Sequence, residues 1–178
     1  MSAVAELPGV TFHDLYEAYP DFDVDVKREQ ELLLEHEVVV LQHPFYWYST
    51  PALVKQWEDL VLEHGWAYGT GGTALHGKRL VSAISTGGPQ RAYCAGGYNR
   101  FSIRQLLAPL EQTARLCGME YLPPYVVFGT HRLGEEQIQG AATEYRRLIE
   151  ALRDDRLNLD RARAHDCLPP DLGEVLIR

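Results

Sequence analysis

Apolar positions along this chain switch between alternation, short unbroken runs and helical spacing. Val10-Thr11-Phe12-His13-Asp14-Leu15 alternates apolar and polar, the pattern of a strand with one covered face. Tyr19-Pro20-Asp21-Phe22 reads as a turn-rich loop. From Val26 to His36 the spacing is helical, and Glu37-Val38-Val39-Val40-Leu41-Gln42 then reads as a strand buried on both faces. Thr50-Pro51 pairs a capping residue with a first-turn proline and opens a helix striped by Leu53, Trp57, Leu60 and Val61, ending at Gly65. A glycine-rich connection over 65–78 leads into a buried strand, Arg79 to Ile84, which ends in Ser85-Thr86-Gly87-Gly88. A helix from Ser102 to Leu116 is stopped by Gly118, a strand follows over Tyr125 to Gly129, and Glu135 to Leu152 forms an amphipathic helix. Residues 153–178, polar and then proline-rich, read as an extension lying on the surface.

Strands separated by helices predict an α/β domain with a mostly parallel sheet and right-handed crossovers. The chain is expected to divide into one domain over 1–152 and a C-terminal extension over 153–178. In such sheets ligands bind beyond the carboxyl ends of the strands, which singles out the loops His43 to Thr50 and Ser85 to Arg100. The 178 residues suit a single core, and 46 % hydrophobic with 24 % charged residues excludes disorder for most of the chain. A net charge of −8 argues against nucleic acid as a partner. No apolar run reaches the roughly 20 residues of a membrane span, and Met1-Ser2-Ala3-Val4-Ala5-Glu6 does not resemble a signal peptide. Cys94, Cys117 and Cys167 form no CxxC pair, which fits a reducing cytoplasm.

The first loop carries four consecutive aromatics, Phe45, Tyr46, Trp47 and Tyr48. They cannot all enter one core, and they admit a flat ligand, a dimer patch or a local aromatic cluster. In the second loop, adjacent Gly87 and Gly88 leave backbone N–H groups open to a ligand edge or an anion, although the same pattern makes an ordinary tight turn. Gly72 to Lys78 matches GxxxxGK, but Arg79 stands where magnesium needs a hydroxyl, and a strand follows where a helix should. Seven histidines show no metal-ligand spacing, so no metal is expected. His43 is either a proton donor near a ligand or a histidine fixed at a strand end. Cys117, late in an apolar helix, reads as packing.

Together these segments resemble the flavodoxin-like NAD(P)H:quinone oxidoreductases. The resemblance rests on His43 through Lys55, Gly65-Trp66-Ala67-Tyr68 and Ser85-Thr86-Gly87-Gly88, and covers about residues 9–150. Asp14-Leu15-Tyr16, Tyr19-Pro20-Asp21-Phe22, Gly71 through Lys78 and Leu122-Pro123-Pro124 are similar to the ancillary subunits of glutathione-regulated potassium-efflux systems. The resemblance implies a three-layer sandwich, FMN as cofactor, NADH or NADPH as reductant and a quinone as acceptor, in a ping-pong reaction. It also implies a homodimer, a potassium-efflux transporter as partner, and a cytoplasmic location at the inner membrane through that transporter. Phe45, Tyr46, Trp47 and Tyr48 would lie along the flavin ring, with Ser85, Thr86, Gly87 and Gly88 at its pyrimidine edge. A regulatory subunit with a vestigial flavin site, or a general flavin reductase without a transporter, are the alternatives.

The resemblance departs at two places. Family members flank the site with a Tyr and a His as proton handlers; here Tyr93 matches the Tyr, and Asn99 stands at the His position. An amide can hydrogen-bond developing charge but cannot relay a proton. The chain also starts about twenty residues into the family pattern, so it is expected to lack the central first strand and its phosphate loop and to hold FMN weakly.

Overall fold

The computed structural model describes residues 3–177; Met1, Ser2 and Arg178, where the two expected regions begin and end, lie outside the described residues. The sheet is parallel, with one long strand in its middle and another along its edge. Strand β1 (Val38–Pro44) pairs with β2 (Arg79–Thr86) in register from Val38 opposite Arg79 to Pro44 opposite Ser85. On its other side β2 pairs with two short strands in line, β3 (Glu120–Tyr121) and β4 (Tyr125–Phe128). Pro123 and Pro124 lie between them and have no N–H to donate, so the ladder breaks for two residues and resumes. The sequence reading found only the second of these strands.

The Val10 to Leu15 strand does not form. Residues 10–14 are irregular, and Leu15–Ala18 is a short helix, α1, whose N-cap Asp14 accepts from the Tyr16 and Glu17 N–H groups. Alternation supplies a strand's side chains but not a neighbouring backbone to bond, and no strand flanks this segment among the described residues. For the same reason β1 is an edge strand. Val39 and Leu41 pack against one core and Val38 and Val40 against the other, so both faces are covered, and the open edge leaves all four half-buried.

Helices α2 (Val26–Glu35) and α3 (Ala52–Val61) cover one face of the sheet. Pro51, rather than Thr50, sits at the N-cap of α3 and makes no side-chain cap bond, and the helix ends at Val61, before Gly65. The helix read as Ser102 to Leu116 is two: α4 (Ile103–Leu106) and α5 (Ala108–Leu116). Pro109 in the first turn of α5 cannot donate back into α4, which breaks the run at Leu107. Ser102 and Gln105 close a capping box on α4, and Gly118 ends the run in the left-handed conformation. Leu53, Leu75, Ile103 and Leu107 are fully buried in this first core.

The other face is covered by α6 (Glu135–Arg153), and by the chain that follows it. Only the second half of α6 is buried, through Leu148, Ile149, Ala151 and Leu152; Ile138 is 51 % exposed. Residues beyond 153 do not lie on the surface as expected. Leu157, Ala162 in α7 (Leu159–Arg163), Leu168, Leu172 and Val175 are buried in this second core together with Val4 and Leu7.

Lys78, of the GxxxxGK match, is buried and donates to the His36 and Leu34 carbonyls at the end of α2, at 2.7 and 3.4 Å. Its charge answers the orphan carbonyls of a helix C-terminus, which explains the lysine without a phosphate. No helix among the described residues is long and apolar enough to cross a membrane.

Candidate functional site

The carboxyl ends of β1 and β2 carry the two loops singled out by sequence. After β1 the chain reverses through Tyr46-Trp47-Tyr48-Ser49, closed by the Ser49 N–H donating to the Tyr46 carbonyl at 2.9 Å. Both central residues have positive φ, +49° at Trp47 and +65° at Tyr48. Hairpin turns with two left-handed residues normally use Asn-Gly, because a side chain there costs about 1–2 kcal/mol per residue. Here two aromatics hold those positions, and Trp47 is 93 % and Tyr46 60 % exposed. The turn therefore holds strain in its backbone and aromatic rings in solvent. Phe45 alone turns inward, against the first core.

In the loop after β2, three carbonyls are occupied and two donors are free. The Ser85 carbonyl accepts from the Phe45 N–H at 2.8 Å. The Thr86 carbonyl accepts from Thr130 Oγ1 at 3.2 Å, and the Gly88 carbonyl accepts from Thr86 Oγ1 at 2.9 Å and from the Gly129 N–H at 3.0 Å. The N–H groups of Gly87 and Gly88 donate to nothing among the described residues. The peptide that carries the Gly87 N–H is held through its Thr86 carbonyl, and with the Gly88 N–H beside it the loop offers two free donors, the chemistry an anionic or carbonyl-bearing edge needs.

The structure brings Phe45, Tyr48, Gly88, Tyr93 and Asn99 together in pairs, while Tyr46 and Trp47 stand out in solvent. The rings of Phe45 and Tyr93 lie 6.4 Å apart, and Tyr93 also meets Phe128 at 5.9 Å. A β-carbon on Gly88 would stand 3.1 Å from the Tyr93 hydroxyl, so the glycine lets the ring close over the donor loop. Tyr93 Oη makes no hydrogen bond among the described residues. Tyr48 Oη donates to Asn99 Oδ1 at 3.4 Å, which ties the aromatic turn to the loop beyond Tyr93 and leaves the Asn99 NH2 as the amide's free group.

His43 is fixed, not poised. It is 5 % exposed, its Nδ1–H donates to the Pro44 carbonyl at 2.9 Å, and burial lowers its pKa, so the ring is neutral. Its Nε2 is buried without a partner among the described residues. Cys117 is buried, and burial pushes its thiol pKa up, as packing requires. Among the described residues no three His, Cys, Asp or Glu side chains gather as a metal would need.

A groove of about 480 Å³ runs from Ser49 and Thr50 along α3 to Leu106, Leu110 and Leu116. The Glu58 carboxyl in its wall makes no hydrogen bond or ion pair among the described residues, and burial raises its pKa from 4.5 to about 7 against the partial pull of Lys55. An acid with a raised folded pKa takes up a proton on folding, so its contribution is complete below 4.5 and is lost as pH rises through about 7. With solvent reaching part of the carboxyl, Glu58→Gln should gain about 1–2 kcal/mol over the parent at pH 8 and almost nothing at pH 4.5. Thermal melts at the two pH values check this; an equal gain at both would mean that the charge is not the cause.

The profile of the flavodoxin-like fold family matches residues 1–149. The chain belongs to that family. It is 49 % identical over 153 residues to the uncharacterised NAD(P)H oxidoreductase YrkL of Bacillus subtilis (strain 168), covering 86 % of each chain. It is 51 % identical over 140 residues to the glutathione-regulated potassium-efflux system ancillary protein KefG of Serratia proteamaculans (strain 568), covering 79 % of this chain and 76 % of that one. The crystal structure of general stress protein 14 from Treponema denticola in complex with FMN aligns with a TM-score of 0.76 at 40 % identity, over 80 % of this chain and 81 % of that one. The flavodoxin-like fold thus accounts for the parallel sheet.

One part of the site was missed by sequence reading. The turn Thr130–Arg132 after β4 braces the donor loop through Thr130 and Gly129, and the imidazole of His131 lies against Gly87. The rule that ligands meet the carboxyl ends of strands applied to this loop as well; no motif drew attention to it.

Proposed function

We propose that this chain is an FMN-dependent NAD(P)H:quinone oxidoreductase acting as the ancillary subunit of a glutathione-regulated potassium-efflux system. The observation that carries the reading is the strained aromatic turn set beside two free N–H donors. The residues present fit the ring of FMN: Tyr46 and Trp47 offer flat faces, and Gly87 and Gly88 offer donors for a pyrimidine edge. The relatives named an NAD(P)H oxidoreductase and KefG, and the FMN-bound general stress protein 14, support the cofactor, reductant and partner.

When bound, FMN supplies the hydride chemistry between NAD(P)H and the quinone. The chain's own groups hold and shield it. Trp47 and Tyr46 stack and exclude water; Gly87 and Gly88 donate to the edge where charge collects. Tyr93, with its hydroxyl free, is placed to give a proton to a reduced acceptor. Asn99, its oxygen held by Tyr48, turns its NH2 outward and donates to a developing negative oxygen without transferring a proton. A second copy would cover the exposed Trp47, Tyr98 and Phe101 and close the site from solvent, which supports a homodimer. The transporter partner would place the chain in the cytoplasm at the inner membrane.

Trp47→Gly separates binding from stability. Losing the indole should weaken FMN about three- to tenfold, while a glycine in the left-handed position should leave the thermal midpoint unchanged or raise it. Flavin fluorescence titration and thermal melts measure both. Unchanged FMN affinity would remove the stacking role and leave the aromatic turn as a partner-binding patch.

A further inference from the structure

His131 is held in place by its neighbours and used by none of them. The turn that carries it begins at Gly129, which takes the left-handed conformation (φ +71°), and is bonded to the donor loop at both Thr86 and Gly88. The Cδ2–Nε2 edge of the imidazole lies against Gly87, 2.7 Å from where a β-carbon would stand, so any larger residue at 87 would displace it. The side chain is exposed and makes no hydrogen bond or ion pair among the described residues. A ring positioned this closely, with its nitrogens free, stands next to the two free N–H groups of Gly87 and Gly88. Meanwhile Asn99 cannot supply a cation or a transferable proton to the site.

We propose that His131 is a third donor to the pyrimidine edge of the flavin, a positioning residue that stabilises the negative charge that edge gains on reduction. This rests on the proposed function, since it assumes that the donor loop meets a flavin. Gly87 is then a glycine for two reasons: its N–H faces the ligand, and its missing side chain admits the imidazole. The device fits a site whose amide at Asn99 can donate but not carry charge.

The test measures binding of oxidised FMN and of dithionite-reduced FMN, anaerobically, to the full chain and to His131→Phe, His131→Asn and Gly87→Ala. Phenylalanine keeps the ring contact with Gly87 but has no N–H; asparagine keeps a donor without a ring; alanine at 87 pushes the imidazole away. For the parent, reduced FMN should bind more tightly than the oxidised form. In His131→Phe and Gly87→Ala the ratio of the two affinities should fall about tenfold, the scale of one hydrogen bond to a charged group, with a smaller fall in His131→Asn. His131 is exposed, so melting temperatures should not move in its variants, which excludes misfolding as the cause. An unchanged ratio in His131→Phe, with FMN still bound by the parent, overturns this role alone. Failure of the parent to bind either form overturns the flavin site and this role with it.

Discussion

Glu29→Met should lower the unfolding free energy by about 3 kcal/mol, and Glu29→Gln by only about 1 kcal/mol. Glu29 is 3 % exposed on α2 and is the hub of the first core's polar contacts. Its Oε1 accepts from His13 Nε2 at 2.8 Å and from Tyr19 Oη at 2.6 Å, and its Oε2 accepts from Trp57 Nε1 at 2.8 Å. Burial, and then the carboxylate itself, push the Tyr19 hydroxyl up to about 12. Methionine has the same length and no comparable acceptor, so it strands a phenol and an indole N–H in an apolar interior. Glutamine keeps a carbonyl for Trp57, and its NH2 can donate to the Tyr19 oxygen and to an unprotonated His13 nitrogen. Urea denaturation of the three proteins measures the difference. Equal losses for Met and Gln would show that the carboxylate's charge, and not the satisfaction of its three donors, holds α1, α2 and α3 together.

Leu172→Ala should cost about 3 kcal/mol, as much as a substitution in the middle of the sheet. Leu172 is fully buried among the second core. The segment around it is also bonded in: the Asn158 N–H donates to the Val175 carbonyl at 2.8 Å, and the Ile177 N–H to the Arg156 carbonyl at 2.8 Å. The Leu168 N–H donates to the Pro124 carbonyl at 2.9 Å, and the Leu172 N–H to Glu144 Oε2 at 3.2 Å. If residues beyond 153 were an appendage, alanine at 172 would leave the main unfolding transition where it is and expose the segment to proteolysis. If they belong to the core, the single cooperative transition shifts to lower urea. Comparison with Leu53→Ala, fully buried on the opposite face, sets the scale.

Much of this architecture was legible in the chain because its strong signals are local. The helical spacing over Val26 to Glu35, the β-branched run after Glu37 and the buried run from Arg79 each specify an element without outside help. What sequence missed depends on partners. Val10 to Leu15 alternates as a strand should, yet alternation says nothing about whether a neighbouring backbone is there to bond. The apolar run of β1 announces cover on both faces, which the two cores supply, but four consecutive aliphatics do not reveal that one edge is open. Leu157, Leu168 and Leu172 are separated by charges and prolines that hid their common burial, since no single period brings them together. The site followed the same division. The aromatic turn and the double glycine stand out as motifs, whereas His131 acquires its place only when β4 folds alongside β2 and brings its loop against Gly87.

The prolines at 123 and 124 make the two margins of the sheet unlike. On the β3–β4 side, two consecutive residues offer no donor, and the Pro124 carbonyl is already taken by the Leu168 N–H. A foreign strand arriving there would find its hydrogen-bond row interrupted in the middle, which is how natural sheets discourage accretion. Along β1, Val38 to Leu41 present a row of backbone groups that no other strand pairs among the described residues, flanked by aliphatic side chains. Growth of this sheet by addition of another strand is therefore directional: it is guarded on one side, and open to recruitment on the side that leads into the aromatic turn.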